Sequence, residues 1–87
     1  MLIGKVVNKV VSTRKHESLN GFKLLVVEPC FGTERACFVA ADELGAGEGE
    51  IVIVCLGSAC AKAINKEASV DAVVVGIIDD RKIIEQI

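Results

Sequence analysis

Residues 45–57 read GAGEGEIVIVCLG, and this stretch decides whether the chain forms a phosphate-binding loop or a turn into a strand. A phosphate-binding loop places its glycines after a strand and at the start of a helix, where backbone N–H groups face the anion. Here the glycines come first and are followed by IVIVCL, an apolar and largely β-branched run that is typical of a strand. Glu48 and Glu50 also lie inside the loop, where their charge would repel a phosphate. The stretch therefore predicts a plain turn followed by a strand.

Four further segments resemble IVIVCL, which gives five predicted strands at about residues 2–11, 22–28, 36–41, 50–56 and 72–79. The connections are rich in turn residues, except for 57–71, where Ser58 can cap a helix and alanine and isoleucine recur at helical spacing. Parallel neighbours need crossovers of a dozen or more residues, so at most one or two connections can be parallel. The sequence thus predicts a mainly-β fold, a small five-stranded, largely antiparallel barrel of the oligonucleotide-binding (OB) type with one short helix.

The length of 87 residues fits one domain spanning 1–87, with the barrel over about 2–80 and a C-terminal arm over about 81–87. The arm reads RKIIEQI, and its isoleucines need cover. It either folds over its own barrel or docks on a neighbouring copy, and the sequence leaves both interpretations open.

Apolar side chains occupy both faces of several predicted strands. An antiparallel strand with one solvent-exposed face alternates apolar and polar residues, but IVIVCL and VVVGII are apolar at every position other than glycine. One short helix is too small to cover these outer faces, and large exposed apolar patches are rare on soluble monomers. We therefore expect other copies of the chain to cover them.

Charge and composition argue against several classes of function. The chain has 10 Lys and Arg against 12 Asp and Glu, a net charge of −2, no Trp, no Tyr and three Phe, which is a poor match to a nucleic-acid-binding surface. The N-terminus MLIGKVVNKVV lacks the features of a signal peptide, which indicates a cytoplasmic protein. The apolar runs are much shorter than the roughly 18 residues of a membrane span, so no membrane association is expected.

Candidate catalytic and metal-binding residues are sparse. The four cysteines, Cys30, Cys37, Cys55 and Cys60, form no C-x-x-C pair and lie far in sequence from the single histidine, so neither a metal site nor a cofactor is predicted. Most of them are expected to be buried as small apolar side chains, whereas Cys60, beside a Gly-Ser turn, is expected to be exposed. Asp42 and Glu43 are adjacent and point to opposite faces, so they are interpreted as turn formers rather than as a catalytic pair. No enzymatic activity is predicted.

Arg14, Lys15 and His16 form the most concentrated basic stretch, in the loop after the first predicted strand. Such a loop is usually a solvated surface. The alternative is that these three residues meet an acidic rim on a partner protein, because charge complementarity at a rim guides association.

Several motifs together give the chain a family resemblance. They are GKVVNKVVSTRKHESLNGFKLLVVE at 4–28, ELGAGEGEIVIV at 43–54, GSACAKA at 57–63 and SVDAVVVGIIDD at 69–80. In combination, these stretches resemble the vertex proteins of bacterial microcompartment shells, the family of ethanolamine-utilisation and carboxysome pentameric shell proteins. The resemblance implies a cyclic homopentamer that closes a polyhedral shell together with hexameric shell proteins, located in a microcompartment shell in the cytoplasm.

The same resemblance implies a position for one loop. Gly57, Ser58, Ala59 and Cys60 would lie near the axis of the ring and line a small pore, although Ser58 as an ordinary helix cap is equally compatible with the residues. Two other classes of function stay open at this point. One is an OB-fold module that binds nucleic acid, and the other is a small cysteine-based metal or redox protein.

Overall fold

A computed structural model of the chain describes residues 1–11, 17, 21–33, 35–57, 60 and 70–79. It contains five strands: β1 (Leu2–Val10), β2 (Lys23–Pro29), β3 (Phe38–Asp42), β4 (Ile51–Leu56) and β5 (Ala72–Ile78). All five predicted strands are confirmed, with ends that differ by at most two residues from the expected ones. The predicted helix after Gly57 and the C-terminal arm lie outside the described residues.

The strands form a closed barrel in the order β1-β2-β3-β5-β4, with β4 returning to β1. Four of the five pairings are antiparallel, and only β3 pairs with β5 in parallel, through Ala41 and Val73. This topology confirms the prediction of a five-stranded, largely antiparallel barrel. The parallel pair is possible because the connection from β3 to β5 passes through β4 and is long enough for a crossover.

The barrel interior is filled with aliphatic side chains that alternate along the strands. The core consists of Val6, Leu25, Val27, Ala40, Ala46, Val52, Val54, Ala72 and Val74, with Leu2 and Phe38 packed against it. Gly4 leaves the room that this packing needs, since a Cβ atom at that position would collide with Cγ1 of Val27 and crowd the carbonyl oxygen of Glu28. The side chains are small because a five-stranded barrel encloses little volume.

Two irregularities in register change which residues face outward. The pairing of β1 with β2 shifts between Val6 and Asn8, and the pairing of β4 with β5 shifts between Ile53 and Val54. Each shift adds one residue to one strand, which reverses the alternation beyond it. The outer surface therefore cannot be read from simple alternation along β1 and β5.

The glycine-rich segment 45–50 is a turn, as predicted. Gly45 and Gly49 adopt positive φ angles of 87° and 86°, which glycine tolerates without strain. The side chain of Glu50 accepts a hydrogen bond from the backbone N–H of Gly47 at 2.7 Å, and Val6 of β1 bonds through its backbone to both Gly49 and Glu50. The acidic side chain thus occupies the position where a phosphate-binding loop would receive its anion.

Asp42 organises the start of the same loop from a buried position. Its side chain is 2% exposed, and its carboxylate accepts hydrogen bonds from the backbone N–H groups of Leu44, Gly45 and Ala46 at 2.9, 3.0 and 2.8 Å. The prediction that Asp42 forms a turn is confirmed.

None of the described residues belongs to a helix that is long and apolar enough to cross a bilayer.

Candidate assembly surface

The outer surface of the barrel carries many apolar side chains. Among the described residues, the large hydrophobic ones that are more than a third exposed are Met1, Val7, Val10, Val11, Phe31, Val39, Leu44, Leu56, Val75 and Ile77. On a soluble monomer such residues are usually scattered singly, whereas here several lie next to one another on adjacent strands. Two groups of neighbours stand out.

The first apolar patch, defined as Val10, Leu24, Val26 and Val39, crosses β1, β2 and β3. Val10 lies opposite Leu24 in the pairing of β1 with β2, and Val26 lies opposite Val39 in the pairing of β2 with β3. Val39 is 49% exposed, and Leu24 and Val26 are partly exposed. Because cross-strand neighbours on one face are in contact, these four side chains form a continuous apolar surface.

The second apolar patch, defined as Ile3, Ile53, Val75 and Gly76, crosses β1, β4 and β5. Ile53 lies opposite Ile3 on one side and opposite Gly76 on the other. Gly76 has no side chain, and a Cβ atom there would lie 3.5 Å from Cδ1 of Ile53, so one edge of Ile53 is uncovered. Val75, at the register shift, is 36% exposed. The patch therefore consists of aliphatic side chains beside a glycine that adds no side chain of its own.

The two patches point in different directions. The first is centred on β2 and the second on β4, and the barrel order places β1 between these strands on one side and β3 and β5 on the other. Two surfaces that differ in their residues and in direction suit head-to-tail association, in which the first patch of one copy meets the second patch of the next. Such contacts generate a ring when the rotation between copies closes.

An opening in the protein surface lies between β1, β2 and the loop that follows β3. Its volume is about 290 Å³, and it is lined by Lys9, Lys23, Leu25, Ala46, Gly47 and Glu48. The Nζ atom of Lys23 donates a hydrogen bond to the carbonyl oxygen of Ala46 at 3.2 Å, which ties β2 to the turn. The lysine therefore supports the loop that follows β3.

The residues singled out by sequence lie only partly within the described structure. Arg14, Lys15, His16, Ser58 and Ala59 fall outside it, so their predicted roles stay predictions. Gly57 directly follows β4, has a φ of 100° and donates its N–H to the carbonyl of Asp71 at 2.7 Å, while Cys60 donates its own N–H to the carbonyl of Gly57 at 3.1 Å. These two bonds fix the chain around the loop that the resemblance places at the pore.

The expectation that Cys60 is exposed is wrong. Cys60 is fully buried, and its Sγ lies 2.8 Å from Sγ of Cys55. Burial, the hydrogen bond to Cys55 and the charge of that thiol together raise the pKa of Cys60 to about 11, with burial as the largest cause. Cys60 therefore stays a thiol near neutral pH and donates its proton to Cys55.

Of the other three cysteines, which were expected to be mostly buried, only Cys30 is buried. Cys30 is buried, and this desolvation raises its pKa, although the nearby Arg35 guanidinium opposes the shift. Cys37 is exposed and Cys55 is partly exposed. Within the described parts of the chain, no three His, Cys, Asp or Glu side chains are arranged to hold a metal ion.

The contact between Cys55 and Cys60 is the feature that sequence reasoning missed. Its signal was present as a C-x4-C spacing interrupted by Gly57, a residue suited to a reversal of the chain. Reading the spacing only against metal-binding motifs hid this possibility.

Comparison with known proteins shows which family and which relatives the chain is similar to. The family model described as "Ethanolamine utilisation protein EutN/carboxysome" matches residues 1–79. Among curated proteins, the chain is 51% identical over 85 residues to the bacterial microcompartment shell vertex protein GrpN of Rhodospirillum rubrum, covering 91% of this chain and 93% of the relative. It is 39% identical over 84 residues to the shell vertex protein EutN of Escherichia coli strain K12, with coverage of 92% and 88%.

Solved structures agree with the sequence comparison. The GrpN pentameric microcompartment shell protein from Rhodospirillum rubrum superposes with a TM-score of 0.78 at 47% identity, covering 92% of this chain and 95% of that one. A pentameric shell protein from the RMM microcompartment superposes with a TM-score of 0.81 at 35% identity, with coverage of 93% of both chains. The barrel described above is therefore similar to protomers that are known to form pentamers.

Proposed function

Because this chain belongs to the EutN/carboxysome family of microcompartment shell vertex proteins, we propose that it assembles into a cyclic homopentamer that occupies the vertices of such a shell. The predicted family and its structural role are confirmed, since the curated relatives are shell vertex proteins rather than enzymes. The family gives no support to the alternatives of a nucleic-acid-binding module or a cysteine-based metal or redox protein. The role of the protein is then structural, because a pentamer placed among hexameric shell proteins introduces curvature into a shell that would otherwise be flat.

The observation that carries the proposed ring is the pair of unlike apolar patches on different sides of the barrel. Aliphatic side chains such as Val39 and Val75 gain roughly 25 cal/mol for each Å² of apolar surface removed from water. A closed ring covers both patches on every copy, whereas a symmetric dimer would cover only one of them. A small barrel of 87 residues also benefits from this added burial, because a chain of this length buries only about 60–65% of the surface that its unfolded form exposes.

Native mass spectrometry tests the pentamer directly. We expect the dominant species to have five times the chain mass of 9.2 kDa, and we expect it to persist on dilution into the micromolar range. A dominant, well-folded species at a single chain mass would contradict the proposed ring.

We further propose that hexameric shell proteins are the partners of the ring, and that Arg14, Lys15 and His16 contact an acidic rim on them. The basic composition of this loop supports the proposal, since opposite charges at a rim mainly accelerate association and set orientation.

The double substitution Arg14→Glu and Lys15→Glu should leave the ring intact and reduce co-assembly with hexameric shell proteins by about tenfold at low salt. The measurement is co-purification of the two proteins. Lys5→Glu, an exposed charge reversal on β1, is the matched control. Equal co-purification of both variants would argue against the contact.

The loop of Gly57, Ser58, Ala59 and Cys60 is proposed to surround the ring axis. Gly57 supports this placement because its positive φ turns the chain sharply at the end of β4. The Cys60 thiol, however, faces Cys55 within its own protomer, so any pore surface is supplied by the backbone and by its neighbours in the loop. A structure of the assembled ring with this loop at its outer circumference would overturn the placement.

A further inference from the structure

We propose that Cys55 and Cys60 form a redox-active dithiol that closes to a disulfide within one protomer when it meets a low-molecular-weight disulfide such as oxidised glutathione. The two Sγ atoms lie 2.8 Å apart, and a disulfide bond requires about 2.05 Å, so the sulfurs must approach by only about 0.8 Å. The pair lies inside a single chain, so the bond forms without a second copy.

The local backbone holds the pair in place. Cys55 lies on β4, which pairs with Val73 of β5 at this position, and Cys60 is anchored by its N–H bond to the Gly57 carbonyl. The Gly57 N–H is bonded in turn to the Asp71 carbonyl directly before β5. Because these backbone bonds hold the two sulfur atoms only 2.8 Å apart, the disulfide can form without a large movement of the backbone.

Unequal exposure assigns different roles to the two thiols. Cys55 is partly exposed, whereas Cys60 has no exposed surface. The Cys55 thiolate therefore attacks the small disulfide first, forming a mixed disulfide and releasing one small thiol. The Cys60 thiolate then attacks the Cys55 sulfur, forming the bond within the chain and releasing the second small thiol. The protein loses two electrons and two protons, and the small disulfide is reduced to two thiols.

The second step should accelerate as the pH rises. Attack requires the Cys60 thiolate, and burial keeps this thiol protonated at neutral pH. Besides Cys55 on β4, the charged groups that face Cys60 are the N-terminal ammonium before β1, which favours the thiolate, and the Asp71 carboxylate before β5, which opposes it. Below the pKa of Cys60, each unit of pH should raise the rate at which the disulfide forms from the mixed disulfide roughly tenfold.

The experiment uses the full-length protein in native buffer with oxidised glutathione, followed by alkylation of the remaining thiols in acid. Digestion after Glu50 and Lys62 releases residues 51–62, which contain Cys55 and Cys60 but neither of the other cysteines. Intact mass and peptide mapping then show whether this peptide carries alkyl groups, glutathione or an internal bond. Circular dichroism under the same conditions verifies that the protein stays folded.

We expect the wild-type peptide to lose two hydrogen atoms and both alkylation sites. The variant Cys30→Ala/Cys37→Ala should do the same, because it retains the pair. Cys60→Ala should stop at a glutathione adduct on Cys55, and Cys55→Ala should leave Cys60 unmodified. Two alkylated thiols in the folded wild type, or equal modification of Cys55 and Cys60 in the single variants, would overturn the proposal. A bond that forms only after the chain is unfolded would overturn it as well.

Discussion

Replacing Val39 or Val75 with Asp should convert the five-subunit ring into smaller species. Each residue lies in one of the two apolar patches and is exposed in the isolated protomer, so the fold can accept the change while the contact between copies cannot. A carboxylate left unpaired in a buried contact costs about 3–5 kcal/mol, and every contact in the ring carries the substitution. Native mass spectrometry should show single protomers of either variant, with the circular dichroism spectrum of a β protein.

A mixture of the two variants separates a ring from a symmetric dimer. Val39→Asp retains the second patch and Val75→Asp retains the first, so one molecule of each can form a single head-to-tail contact. The mixture should therefore contain dimers with one copy of each variant and no larger closed species. If copies met through identical patches, each variant alone would still pair through its intact patch, and that result would contradict head-to-tail assembly.

Phe31→Asp is the matched control for these substitutions. Phe31 has the same exposed fraction as Val39, 49%, but it lies in the loop after β2, outside both patches. We expect this variant to keep the mass of the wild-type assembly. Loss of the ring in Phe31→Asp would mean that the interface extends beyond the two patches.

Replacing Asp42 with Ala should destabilise the protein by about 3–4 kcal/mol. The substitution removes the acceptor of three backbone N–H groups, and a hydrogen bond to a charged group contributes about 1.5–3 kcal/mol. Part of this loss is recovered, because water reaches the N–H groups of Leu44 and Gly45 more easily than that of the buried Ala46. A loss of this size is a large share of the total stability of a small domain, which is about 5–15 kcal/mol.

Denaturant unfolding at a fixed protein concentration measures this effect, because assembly stabilises the folded state by mass action. Asp42→Asn keeps the volume of the side chain but replaces one acceptor oxygen with a donor, and we expect it to destabilise the protein nearly as much as Ala. Glu48→Ala, an exposed carboxylate in the same loop, should change stability by no more than about 0.5 kcal/mol. Equal midpoints for Asp42→Ala and Glu48→Ala would show that the bonds of Asp42 do not hold the loop.

The strands were predictable because apolar, β-branched runs bounded by glycine and polar turns have few alternatives in a short chain. Their ends were less certain, since β3 begins at Phe38 rather than two residues earlier. The mostly antiparallel order followed from the short connections alone. The parallel contact of Ala41 with Val73 was allowed by that argument but could not be placed by it, because a single pairing leaves no pattern in the sequence.

The assembly surface was predictable as an excess of apolar residues but not as a location. Which side chains face outward depends on the register shifts near Asn8 and Ile53, and a shift by one residue exchanges the two faces of a strand. Grouping Val26 with Val39 also requires knowing that β2 and β3 are neighbours in the barrel. Cys60 was misplaced for a related reason, since its burial depends on its contact with Cys55 of β4 rather than on its immediate neighbours in sequence.

Closure of the barrel has a consequence for how a shell is built and taken apart. Each of the five described strands already has a hydrogen-bonded neighbour on both sides, so a further chain finds few unpaired positions among them on which to extend the sheet. Growth into fibrils by strand addition is thereby disfavoured. The contacts proposed between copies involve side chains, so subunits can join and leave with their backbone bonding intact.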